Sequence, residues 1–199
     1  FYERGENAPT KFTSDELLTQ MKIFEKVEQG IVQQRAILDG YDPQRRLVNL
    51  FLDEWGVWDN LNLNPEIERK NGKLWQQITM RSAVAAGMGL NIFNRLADKL
   101  YMCNIAQIMN VLHSLLLTDG PAGRKCVRTT TYHAFMLFKD HRSNTAVRIE
   151  KDTSDPLAVS VPASKQGSDL VIRFLNPRPN TDVPNDCALA RPSPNQPPP

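Results

Sequence analysis

At 199 residues, with 41% hydrophobic and 23% charged residues and a net charge of +2, the chain has a soluble globular composition, enough for one good core or one core and part of another. Interspersed acids and bases leave no basic footprint for nucleic acid or an anionic membrane, and the charge-free apolar stretch of residues 82–94 is too short to span a bilayer. Cys103, Cys126 and Cys187 are widely spaced and form no C-x-x-C pair, which argues against a disulfide framework or a zinc site and for structural thiols.

The chain opens on Phe1, so the lack of a signal peptide decides nothing about compartment, and a cytoplasmic location is expected. A turn-rich stretch, FYERGENAPTKF, comes first. The run Thr13-Ser14-Asp15-Glu16 has the spacing of a capping box, and Leu17, Met21, Phe24, Val27 and Ile31 recur at three and four residues, so one helix is expected to run on to Gly40. Asp42-Pro43 forbids its continuation. From Arg46 the run RLVNLFLDEWGVW is too continuously apolar for a strand with one wet face. It predicts a strand buried on both sides, as a parallel sheet requires, with Asp53 and Glu54 at its C-terminal end.

A loop is expected over residues 59–71, and a long helix from Gly72 to Lys99, whose Ala83, Ala85, Ala86, Gly87 and Gly89 would let it lie close to a sheet. A second buried strand is expected over residues 100–106, carrying Gln107 and Asn110 at its end. The apolar segment His113 to Asp119 ends in a turn, and Thr130 to His141 predicts another helix. Residues 157–161 and 169–175 look like strands of an antiparallel sandwich. Ten of the fourteen prolines lie from Pro156 onward, and the low-complexity end of the chain is not expected to fold.

Alternating helices and buried strands imply consecutive parallel βα units. A (β/α)8 barrel needs about 250 residues, so the expected fold class is α/β: the last units of a TIM barrel over residues 1–143, a truncated all-β sandwich segment over 144–180, and a disordered proline-rich tail over 181–199. The C-terminal ends of parallel strands are where such folds bind ligands. Asp53, Glu54, Trp55 and Trp58 are therefore a candidate sugar site, with the tryptophans stacking on sugar faces. The competing account makes one acid a helix cap and the tryptophans core.

The strings DEWGVW (residues 53–58), LWQQITMRSAVAAGMGLNIFNRLADKLYMCNIAQIMNVL (74–112), LLLTDG and TTTYHAFMLFKDH resemble the α-L-arabinofuranosidases of glycoside hydrolase family fifty-one. The resemblance covers residues 1–143. It implies that Glu54, in the DEW motif at the end of barrel strand seven, is the catalytic nucleophile. It further implies that Gln107, in the pattern Met102-Cys103-Asn104-Ile105-Ala106-Gln107 at the end of strand eight, hydrogen-bonds arabinose, with Asn104 of the same pattern beside the substrate. Tyr2 is the match for a tyrosine that contacts the nucleophile. An exo-acting, retaining enzyme on terminal arabinofuranosyl groups of arabinan or arabinoxylan is implied, forming a homo-oligomer when full length.

Two departures are small: Ser82 stands where the family has an acid, and Cys103 where it has alanine. A third is larger. The family's acid/base glutamate follows an asparagine, and no Asn-Glu pair occurs in this chain. A retaining glycosidase needs two carboxyls about 5 to 5.5 Å apart, and Asp53 projects from the strand opposite to Glu54. The fragment by itself is thus expected to be inactive, and the rival readings are another retaining glycosidase, such as an endoglucanase or xylosidase, or a non-catalytic, carbohydrate-binding remnant. His113, His133 and His141 have no second ligand at three or four residues, so neither a metal nor an organic cofactor is expected.

Overall fold

The computed structural model describes residues 6–45, 47–60, 63, 66, 70–72, 74–119, 124–184 and 188, with the backbone of residues 2–4. Most of the loop expected over 59–71, and most of the tail expected over 181–199, lie outside the described residues. After a short strand β1 (Tyr2–Arg4), helix α1 (Ser14–Lys22) begins at the expected capping box. The Glu16 N–H donates to Thr13 Oγ1, and the Glu16 carboxylate accepts from the Thr13 N–H. The single helix expected here is two. The Ile23 N–H turns back to the Gln20 carbonyl at 3.3 Å, closing α1 one turn early, and α2 (Phe24–Tyr41) starts anew. The apolar row survives the break, with Met21, Phe24, Val27 and Ile31 all buried.

Strand β2 (Phe51–Trp58) is shorter at its start than expected. The Asp42 carboxylate accepts from the N–H groups of both Leu47 and Val48 at 2.7 and 3.0 Å, which holds them in the turn that follows α2. Pairing begins only at Phe51, opposite Met102. The apolar run is not buried on both faces: Leu47, ahead of the strand, is 85% exposed and Phe51, its first residue, 47%. Nor do the acids end it, because the strand runs four residues past Glu54.

Helix α3 (Met80–Arg95) is the central part of the long helix expected over 72–99. Ser82 Oγ accepts from the Thr79 N–H at 3.2 Å, a back-bond that sets the helix start. The residues before it, Gln76 among them, bond to β2 instead. Strand β3 (Met102–Ile105) alternates exposed and half-buried positions rather than being buried throughout. The sheet order is β1-β2-β3, parallel throughout, as the alternation of helices and strands predicts.

A hairpin follows that the sequence does not announce, β4 (Leu116–Thr118) against β5 (Cys126–Arg128). Helix α4 (Thr130–Phe138) is capped by Thr129, whose hydroxyl accepts from the Tyr132 N–H, and a 3-10 turn, Lys139–His141, ends it. The last sheet is antiparallel, β6 (Thr145–Val147), β7 (Ala163–Gln166) and β8 (Asp169–Ile172). Residues 157–161 are not the strand expected. The Leu157 N–H is held by the Asp155 carboxylate and its side chain joins the core, leaving only Ser160 bridged to Leu175.

The core lies where the helices cover the parallel sheet, from Met21 and Phe24 through Trp55 and Val57 to Ile92, Phe93 and Leu157. The glycines of α3 permit this closeness: a Cβ on Gly89 would stand 2.7 Å from the Trp55 ring, and one on Gly87 would run into Leu175. Cys103 faces this core, where burial pushes its thiol up to about 11, while Cys126 is exposed and Cys187 lies outside the described residues.

Candidate active site on strands β2 and β3

Asp53 and Glu54 occupy an interruption in the β2 ladder. Leu52 pairs with Cys103 and Trp55 with Ile105, so two residues of β2 are matched by one of β3 between these pairs. A bulge of this kind re-aims side chains and frees them from the regular alternation. Both acids are exposed. Asn104 projects from β3 with its Nδ2 3.5 Å from Asp53 Oδ1, and Gln107, two residues beyond the end of β3, is exposed at the same end of the sheet. Glu54, Asp53, Asn104 and Gln107 are thus brought to neighbouring strands, and Trp58 stands half-buried at the end of β2.

Two of the expected sugar-binding residues need correction or restriction. Trp55 is 2% exposed, set edge-on to Phe93 at 4.8 Å and stacked on Phe135 at 6.2 Å; past the bulge its side chain points to the helices, so it is core and cannot stack on a ligand. The Tyr2 backbone pairs with Gly56, but its side chain lies outside the described residues.

Behind these residues lies a buried polar assembly that the sequence reading missed. Asp59, directly after β2, forms an ion pair with Arg81 at 2.7 Å, with side chains 1% and 2% exposed. Gln20 of α1 donates to the same carboxylate oxygen, Gln76 accepts from the Asp59 N–H, and Arg81 also reaches the Ala8 carbonyl and lies over the Phe12 ring. Burial raises the Asp59 carboxyl above its ordinary range, and the Arg81 charge pulls against that rise. The signal was present: an arginine in the first turn of a helix opposes the helix dipole and needs an acid to hold it there.

His113 is fully buried. Its Nδ1 accepts from the Val57 N–H at 3.2 Å, and its Nε2 lies 2.8 Å from the Ser82 carbonyl oxygen, which fixes the proton on Nε2. It is a satisfied structural histidine. Burial pushes its pKa down to about 4, against the pull of the Ser82 bond. His141 bonds Ser164 at 2.8 Å, and His133 is exposed. Among the described residues no group of three or more His, Cys, Asp or Glu could hold a metal ion.

The burial of His113 makes the stability of the fold depend on pH. Its ring stays neutral in the fold but protonates near 6.5 when unfolded. Its contribution is therefore fully present above that pH and is lost as pH falls toward about 4. Between pH 7 and 4.5 the wild type should lose about 2 to 3 kcal/mol more stability than His113→Gln, read by denaturant titration at both values. Parallel pH profiles for the two proteins would rule the effect out.

The fold is that of solved arabinofuranosidases. The crystal structure of the arabinofuranosidase of glycoside hydrolase family 51 from Xanthomonas axonopodis pv. citri superposes with a TM-score of 0.67 at 30% identity, covering 87% of this chain and 37% of that one. The α-L-arabinofuranosidase of Thermotoga maritima, in complex with arabinose, superposes with a TM-score of 0.60 at 15% identity, over 88% of this chain and 38% of that one. The chain belongs to the family described as the alpha-L-arabinofuranosidase C-terminal domain, whose profile it matches over residues 53–190. It is 35% identical over 146 residues to the intracellular exo-alpha-L-arabinofuranosidase of Bacteroides ovatus, covering 73% of this chain and 27% of that protein. It is 28% identical over 117 residues to alpha-L-arabinofuranosidase C of Emericella nidulans, covering 58% of this chain and 21% of that protein. The chain thus spans about a quarter of the length of these curated relatives.

Proposed function

We propose that these residues form the nucleophile-bearing part of a retaining, exo-acting α-L-arabinofuranosidase that releases terminal arabinofuranosyl groups from arabinan, arabinoxylan or their oligosaccharides. Residues 1–143 supply the last units of its (β/α)8 barrel, 144–180 part of a β-sandwich, and 181–199 a proline-rich tail. Glu54 attacks the anomeric carbon, and Gln107, Asn104 and Trp58 hold the sugar. The observation that carries this reading is the bulge in β2, which brings Glu54 out of the ladder beside β3, at the end of the sheet where Gln107 follows. With no Asn-Glu pair among its 199 residues, the chain alone holds half of the two-carboxyl chemistry and does not turn over substrate. The general acid comes from elsewhere in the assembled enzyme, which we read as a homo-oligomer. No described helix is long and apolar enough to cross a membrane, and a cytoplasmic location agrees with the name of the Bacteroides relative.

The missing pair also favours a second reading, a remnant that binds arabino-oligosaccharides without cleaving them. A mechanism-based arabinofuranosyl trap separates the two on the full-length enzyme. Labelling of the peptide that contains Glu54 is expected; binding of oligosaccharide with no covalent label would support the remnant.

Gln107 tests the binding half. A neutral hydrogen bond to a sugar hydroxyl contributes about 1.5 kcal/mol, and more if it strengthens in the transition state. Gln107→Ala should lower kcat/KM by about tenfold or more, while its exposed position leaves the melting temperature unchanged. A collapse in stability would make it a structural residue instead.

A further inference from the structure

Strands β2 and β3 part before β2 ends. Their last paired residues are Trp55 and Ile105, yet β2 continues to Trp58. On the side that β3 has vacated, the Val57 peptide is met by two side chains. The Val57 N–H donates to His113 Nδ1 at 3.2 Å, and the Val57 carbonyl accepts from Gln76 Nε2 at 3.2 Å. Both side chains are almost wholly buried, so neither bond competes with water.

His113 is itself tied to the sheet at both ends. Its N–H donates to the Ala106 carbonyl and the Ala106 N–H to the Trp55 carbonyl, each at 3.0 Å. Its Nε2 reaches the Ser82 carbonyl at the start of α3. Gly56, at φ +152°, passes so close that a Cβ there would stand 2.9 Å from His113 Cβ. The ring is therefore the surface against which the end of β2 is seated.

We propose that His113, helped by Gln76, stands in for the missing strand and fixes the β2 backbone that carries Glu54, a positioning role that rests on the reading of Glu54 as the nucleophile. Glu54 lies in the interruption between Leu52 and Trp55, three residues before Val57, so the course of the β2 backbone through Val57 sets where its carboxylate stands. A displacement of about 1 Å at a reacting group costs about 100-fold in rate, so a loosened Val57 would be felt at Glu54.

The test uses the full-length enzyme that carries this chain. His113→Leu keeps bulk and removes both polar atoms, while His113→Gln keeps an acceptor and a donor. For His113→Leu we expect kcat on an aryl arabinofuranoside to fall about 10- to 100-fold with KM within about threefold of wild type. Exchange of the Val57 amide proton should quicken by about tenfold or more. His113→Gln should recover kcat to within about fivefold of wild type. A folded His113→Leu protein with kcat within about twofold of wild type, or a Gln variant no better than the Leu variant, would overturn the inference.

If the leucine variant does not fold, His113→Asn, which keeps an acceptor toward Val57 and drops the donor to Ser82, must hold kcat within about fivefold; a larger loss overturns it. The trap separates the two layers of the reading. No label on Glu54 in active wild-type enzyme would remove the nucleophile assignment and the catalytic role built on it. Unchanged Val57 exchange in His113→Leu, with Glu54 labelled in wild type, would overturn the positioning inference alone.

Discussion

Replacing Glu54 with Gln should lower turnover of an aryl arabinofuranoside by the full-length enzyme by about four powers of ten or more, the scale of losing a covalent catalyst. The amide keeps the shape of the carboxylate and much of its hydrogen bonding but has no lone pair able to attack the anomeric carbon and later depart. Because Glu54 is exposed on a bulge, the variant should melt with the wild type, and the loss will be chemical. Asp53 is the internal control. It lies in the same interruption of the ladder, next to Asn104, and Asp53→Asn should cost far less. The reverse order, with Asp53→Asn inactive and Glu54→Gln within about tenfold of wild type, would sink the assignment.

The second large effect is on stability. Arg81→Met should cost about 3 to 5 kcal/mol in a denaturant titration, the usual result when one partner of a buried ion pair is removed and the other charge is left without compensation. The Asp59 carboxyl would keep only Gln20 as a side-chain donor, in a site from which water is excluded. Adding Asp59→Asn to Arg81→Met neutralises the stranded charge and should recover at least half of the loss. A cost for Arg81→Met below about 1 kcal/mol would mean that the pair is dispensable. Since Asp59 follows β2 directly and Gln76 joins it to the Val57 carbonyl, slower turnover before global unfolding is a further expected sign.

Legibility from the sequence followed the range of the interactions involved. The capping box at Thr13, the helix start at Thr130 and the parallel relation of β2 and β3 depend on neighbours in sequence or on hydrophobic period, and these could be read directly. The exposed, apolar lead-in to β2 could not: Leu47 and Val48 have the composition of a buried strand, but their N–H groups are taken by Asp42, a choice no periodicity records. The direction of Trp55 was hidden for a related reason. Strict alternation would put it on the side of Asp53, and the bulge between Leu52 and Trp55 turns it to the helices. Glu54 was singled out by its place in the apolar run and, like Gln107, by motif resemblance, whereas Asp59, Arg81, Gln76 and His113 act through contacts from 17 to 73 residues apart, which leave no local pattern.

Helix α3 is seated on two sheets, with Gly89 under the Trp55 ring of the parallel sheet and Gly87 against Leu175, beyond β8 of the three-stranded antiparallel one. Anyone building a chimera from two members of this family therefore inherits a matching rule. An antiparallel sheet taken from a donor whose residue at 87 is larger would bring a smaller or differently placed side chain at 175, and grafted onto this helix it would leave a hole. The opposite graft would collide. Positions 87 and 175 form one shape divided between two distant parts of the chain, so they must be exchanged together, and a library that shuffles them independently will lose most of its members at this contact.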